Sequence, residues 1–181
     1  MKDQGLGIKV IPSEAGHMLG GTYWNILRET ESIMYAVHFN HAGEHHINPG
    51  LVKAPNHPTL LITNSHNMTR APLQPYSKRE NIFVKIIRQT LHNGGNVLLP
   101  IPAAGRILEI LTVLNEHWNK YNLAYPVFFL SPVSSPILEL CKNYIEWGSA
   151  GVQDTFSQHR VNPFEFTTIK PISSLLHIRQ I

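Results

Sequence analysis

The sequence predicts an α/β protein, and three observations carry that prediction. Short apolar runs with period-two alternation fill the chain up to about residue 65. A helix-start signal and a helical apolar period then begin near residue 76. From there strand and helix signals alternate, which is how a parallel sheet with right-handed crossovers reads in sequence.

The elements follow in order. Residues 7–12 and 22–27 are short and apolar-rich, and residues 32–39 place Ile33, Tyr35 and Val37 on one face of a strand. Residues 40–58 hold histidines, Asn, Gly and Pro and read as a long loop, and 59–63 is a short apolar run of buried-strand type ending in Asn64-Ser65-His66-Asn67. Ser77 and Glu80 have the spacing of a capping box, in which each side chain satisfies a free backbone N–H. Ile82, Phe83, Ile86, Ile87, Thr90 and Leu91 continue at helical spacing until Asn93-Gly94-Gly95 stops the helix. A strand over 96–100 comes next, then a helix with Ile107, Ile110, Leu111, Leu114 and Trp118 on one face. A strand over 126–130 and a helix over 135–147 complete the series. The boundary between the strand-rich and alternating parts falls between residues 65 and 76.

Composition narrows the function classes. At 43% hydrophobic the 181 residues can bury a core, while 15% charged is well below the usual ~25% and suggests a surface partly covered by other protein. A net charge of +3 with no dense Lys/Arg run permits nucleic-acid contact without arguing for it. The single Cys141, set among Leu138, Leu140 and Ile145, reads as a small buried hydrophobe and fits a reducing compartment. No apolar run approaches the ~18 residues of a membrane helix, and residues 1–16 have no signal-peptide core. The expectation is a soluble intracellular protein without a membrane partner. Eleven histidines accompany only two aspartates, Asp3 and Asp154, and hydrolytic two-metal sites depend on carboxylates.

Three strand ends carry polar groups that could meet in a site: His17 within Gly16-His17-Met18-Leu19-Gly20-Gly21, His38 within Tyr35-Ala36-Val37-His38-Phe39-Asn40-His41, and Asn64 after Leu60-Leu61-Ile62-Thr63. Against this stands a plain glycine turn with an incidental His17. His38, His41, His45 and His46 lack a zinc-site pattern, and the Gly and Asn around them favour solvated loop imidazoles. Arg106, after Ala103-Ala104-Gly105 at a strand-to-helix turn, is a candidate phosphate or RNA contact; the alternative is an ion pair with Glu109. No Gly-x-Gly-x-x-Gly occurs, and Pro100 and Pro102 occupy the turn where a dinucleotide site would need it.

These segments resemble, in order, those of the β-CASP proteins, metallo-β-lactamase-fold nucleases that process RNA and DNA. The resemblance runs through Gly16–Gly21, the His38 segment, Asn64, Gly94-Gly95-Asn96-Val97-Leu98-Leu99 with Ala104-Gly105-Arg106 and Glu109, and Asn162-Pro163-Phe164-Glu165-Phe166. It implies part of a metallo-β-lactamase (αββα) fold over residues 1–75 and the first part of a Rossmann-like β-CASP domain with parallel strands over 76–181. In active members the residue at His17 binds metal, the residue at His38 is an aspartate bridging two zinc ions, and the residue at Asn64 is acidic. An imidazole offers one lone pair and no negative charge, and an amide is no anionic ligand, so two carboxylates are missing. The family's His-x-His-x-Asp-His cluster lies upstream of the Gly-His segment and is not in this sequence.

Within the family the chain is similar to a non-catalytic subunit of the nuclear machinery that cleaves and polyadenylates pre-mRNA. The resemblance therefore implies a pseudo-nuclease scaffold that is not an enzyme and has no cofactor, where active relatives use zinc. Its implied partners are a β-CASP endonuclease subunit, the scaffold proteins of the 3′-end processing machinery, and pre-mRNA. The alternative is an active zinc-dependent β-CASP endoribonuclease cut before its His-x-His-x-Asp-His motif. A lactamase part lacking its flanking strands is further expected to leave edges and apolar faces uncovered, so that the 181 residues alone are poorly stable.

Overall fold

A computed structural model of the chain describes residues 7–53, 57–65 and 74–178. Strands β1 (Ile8–Glu14), β2 (Thr22–Arg28), β3 (Glu31–Ala36) and β4 (Leu60–Thr63) form one sheet in sequence order, with β1–β2 and β2–β3 antiparallel and β3–β4 parallel. Helix α1 (Tyr76–His92) and helix α2 (Ile107–Tyr121) precede β5 (Val127–Leu130). Helix α3 (Ser134–Asn143), a 3-10 turn (Ile145–Trp147) and helix α4 (Ala150–His159) lead to β6 (Ile169–Ile172) and the short α5 (Leu175–Ile178). β5 and β6 pair in parallel as a second sheet. The α/β class and the parallel pairing are as the sequence predicts.

Two cores hold the later elements. Ile107, Leu108 and Leu111 of α2 pack with Phe129, Leu138, Cys141, Val152, Phe164 and Ile169, and Phe164 is wholly buried. Ile87, Leu114 and Trp118 join α1 to α2. Cys141 is buried in the first core, where burial raises its thiol to about 11, so it behaves as the small hydrophobe expected. Gly94, at φ +76, ends α1 at the position where a left-handed residue is needed.

Several local expectations need correcting. α1 begins at Tyr76 behind Pro75, which has no side-chain acceptor, so Ser77 falls inside the first turn and Glu80 bonds His45. On α1 the buried face is Val84 and Ile87, while Ile82 and Ile86 are exposed. On β3 the inward residues are Met34 and Ala36, which pack on Tyr23; Tyr35 faces outward beside Trp24 and Ile62. Both faces of that strand are apolar, so alternation could not fix its phase, and the loop after Gly50 decided it by covering Tyr23, whose hydroxyl donates to Leu51 O at 3.0 Å. β4 is an exposed edge strand, not a buried one. Residues 96–100 form no strand, since no described residue pairs with their backbone as a ladder, and Leu98 is 86% exposed. The 135–147 helix is α3 plus the 3-10 turn. His66 and Asn67 lie outside the described residues.

The phase of β3 is testable by denaturant unfolding. Met34→Ala should cost about 2–5 kcal/mol by opening a cavity, whereas Tyr35→Ala should cost about 1 kcal/mol or less. The reverse order would place the outward phase wrongly.

Candidate functional site

His17, His38 and Asn64 are brought together at one end of the first sheet. Backbone bonds from Asn40 N to Ala15 O (2.8 Å) and from Gly50 N to Asn40 O (2.7 Å) knit the ends of β1 and β3 to the following loop. Gly16, at φ +70, leaves no room for a Cβ, which would overlap Gly50 N and Asn40 O. Gly21 leaves room for the His17 ring, since a Cβ there would lie 2.7 Å from His17 Cε1.

The His17 and His38 rings stand 6.2 Å apart, tilted by 44°. Burial, and then the neighbouring His38, lower the pKa of His17, so its ring is held neutral. Its Nδ1 is buried without a hydrogen-bond partner. The Asn64 amide donates to Val37 O, next to His38. Among the described residues neither His17 nor His38 belongs to a group of three metal-ligating side chains. An orphaned imidazole nitrogen is a fitting single ligand, but among the described residues no carboxylate stands beside it to be shared by two zinc ions. This donor set does not fit a carboxylate-bridged zinc pair.

A second constellation lies where the loop after β3 meets the helices. The Glu109 carboxylate, on the first turn of α2, accepts from the backbone N–H groups of His45 and His46 at 3.0 Å each, from His46 Nδ1 at 2.7 Å, and from the Tyr76 hydroxyl. Burial alone would raise its pKa; these donors together outweigh it and hold the carboxyl at about 2. Burial, followed by the Glu109 bond, raises Tyr76. Beside them, Arg106 pairs with Glu44 at 3.2 Å. Burial raises the pKa of Glu44 despite that partner. His45 sits between Glu80 (3.0 Å) and Glu116 (3.6 Å). The Glu116 bond, opposed by burial and joined by Glu80, raises it to about 9.

Sequence reasoning missed most of this cluster. His46 is fully buried and His45 half-buried, so these two are not solvated loop imidazoles. Arg106 pairs with Glu44 and not with Glu109, because the Gly105 turn (φ +77) starts α2 with Arg106 facing the loop. A Glu three residues after Arg106 on an otherwise apolar helix face was the available signal. Glu44, His46 and Glu109 are the one group among the described residues whose ligand atoms lie within 4.8 Å of one another. Glu109 takes four donors, Glu44 has its guanidinium and His46 gives Nδ1 to Glu109, while His46 Nε2 is buried without a partner among the described residues. The two carboxylates and His46 Nδ1 thus form a structural ion-pair network.

Residues 1–67 match the model of a metallo-beta-lactamase superfamily domain. The chain is 37% identical over 164 residues to cleavage and polyadenylation specificity factor subunit 2 of Arabidopsis thaliana, an alignment covering 91% of the chain and 22% of that protein. It is 37% identical over 185 residues to the probable subunit 2 of Drosophila melanogaster, covering 100% of the chain and 24% of that protein. It is also 30% identical over 171 residues to endoribonuclease ysh1 of Schizosaccharomyces pombe, covering 93% and 22%. The chain thus spans less than a quarter of the length of the relatives it matches.

The two titrations give the stability opposite slopes. Glu109 binds its proton less readily folded than unfolded, so its contribution is complete above about 4.5 and fades as pH falls toward about 2. His45 holds its proton more tightly when folded, so its contribution is complete below about 6.5 and fades as pH rises toward about 9. Urea unfolding of Glu109→Gln should lose about 3–5 kcal/mol near neutral pH and flatten the acid limb; an unchanged acid limb would contradict the assignment.

Proposed function

We propose that the chain, which is similar to cleavage and polyadenylation specificity factor subunit 2 proteins and matches a metallo-beta-lactamase superfamily domain over residues 1–67, works as a non-catalytic scaffold in mRNA 3′-end processing. In this reading residues 1–75 are part of a metallo-β-lactamase-like domain and residues 76–181 the first part of a β-CASP domain. The protein acts in the nucleus, holds a β-CASP endonuclease partner together with the other proteins of the complex, and approaches pre-mRNA without cutting it. His17, His38 and Asn64 are remnants of a metal centre.

One observation carries the proposal: His38, at the end of β3, faces His17 where active members need a bridging carboxylate, and the adjacent Asn64 spends its amide on Val37 O. Hydrolysis by two metals needs an anion shared between the dications to fix them and offset their repulsion. An imidazole with one free lone pair cannot do this. The likeness to a protein named an endoribonuclease favours a second reading, an active zinc-dependent β-CASP endoribonuclease. Sequence outside these 181 residues could supply its histidine cluster but not an acid at position 38 or 64.

The full-length protein, purified alone, is expected to leave a labelled pre-mRNA 3′-end substrate intact, and to co-purify with a β-CASP endonuclease when both are expressed. Cleavage by the protein alone, abolished by His17→Ala, would establish the second reading. Absence of any endonuclease from the purified assembly would defeat the scaffold reading.

A further inference from the structure

α1 and α2 leave an open groove between them, about 690 Å³ in volume. Lys85, Arg88 and His92 lie along one face of α1 at helical spacing, all exposed. Across from them stand His117 and Tyr121 of α2 and Tyr125 in the following loop. No carboxylate lines the groove among the described residues. Of the nearby acids, Glu116 and one oxygen of Glu80 turn toward His45, while the other Glu80 oxygen lies 3.8 Å from Nε2 of the groove residue His117.

The aromatic groups are already arranged for stacking. The Arg88 guanidinium sits 4.5 Å from the centre of the Tyr121 ring, with Lys120 Nζ 5.5 Å from it, and the His117 ring is 6.1 Å away. Tyr121 remains 44% exposed and Tyr125 37%. Trp118 Nε1 donates to Tyr125 O at 2.8 Å, which fixes the loop that carries the second tyrosine.

We propose that this groove binds single-stranded RNA, with Lys85 and Arg88 on successive phosphates and Tyr121 and Tyr125 offering faces to unstacked bases. A cationic track beside exposed aromatic rings is the recurring solution for a flexible polyanion with flat bases. An acidic peptide would be served by the cations but would leave two tyrosine faces without a role. Duplex RNA would present phosphates without bare bases. The inference deepens the reading of an RNA-processing scaffold and rests on it for the choice of RNA; it adds a contact surface that does not include Arg106, whose guanidinium is committed to Glu44.

Fluorescence anisotropy with a labelled uridine-rich RNA of about 12 nucleotides, titrated with the full chain across a salt series, tests this. Lys85→Ala/Arg88→Ala should weaken binding roughly tenfold, and make the slope of log K against log salt shallower by about 1.4, the loss of two single-strand phosphate contacts. Tyr121→Ala should weaken binding about tenfold with Tyr121→Phe retaining it, since stacking needs the ring and not the hydroxyl. These positions are exposed, and unchanged melting of each variant verifies the fold. RNA affinity and salt slope unmoved by both sets of substitutions would overturn the proposal. So would an acidic peptide binding in an Arg88-dependent manner while the RNA does not bind. Co-purification of the endonuclease is scored on the same variants: its retention alongside lost RNA binding supports the groove, whereas its absence from the unsubstituted protein fails the scaffold reading separately.

Discussion

A buried carboxylate with four donors holds this molecule together. Glu109 lies on a helix whose neighbouring positions are apolar, and a lone buried acid there would be costly. The cost is offset because the backbone of His45 and His46, the His46 ring and the Tyr76 hydroxyl all converge on it. The loop after β3 therefore cannot leave the helices without exposing an unpaired charge. The same loop runs on to Ser149, whose hydroxyl donates to His45 O at 2.6 Å and caps α4 by accepting from Val152 N. Three helices are thus referred to one loop, and that loop begins just beyond His38.

This dependence connects the cluster to the strand ends that carry His17 and His38. Asn40 is anchored by the Ala15 and Gly50 backbone, and Glu44 to His46 are anchored at the other end by the start of α2. Both anchors are made by backbone and by Glu109, so the path of this loop is set without any contribution from the His38 ring.

The sequence was legible wherever one physical signal dominated. α2 was readable because Ile107, Leu111, Leu114 and Trp118 repeat on one face that is in fact buried. The convergence of His17 and His38 was suggested first by their places at the ends of predicted strands and then by a family resemblance carried by a few motif residues. β3 misled because both of its faces are apolar, so period-two alternation fits either phase. Residues 96–100 misled because their apolar composition suits a strand, while a strand exists only with a neighbour to bond. The Glu109 network was invisible for a different reason: its partners are separated by 63 and 64 residues and include two backbone N–H groups, which carry no sequence signature. Arg106 and Glu109 stood close enough in sequence to suggest a pair, yet the turn at Gly105 sent them to different partners.

The proposed function comes down to one physical statement, that the protein keeps a nuclease-like frame without a two-metal centre. Zinc stoichiometry tests it most directly. Mass spectrometry of the full-length protein, purified with zinc supplied and weakly bound metal removed, is expected to find fewer than two zinc ions per chain, with no loss of folded protein on chelation. Two tightly held zinc ions per chain, released together by His17→Ala, would contradict the account.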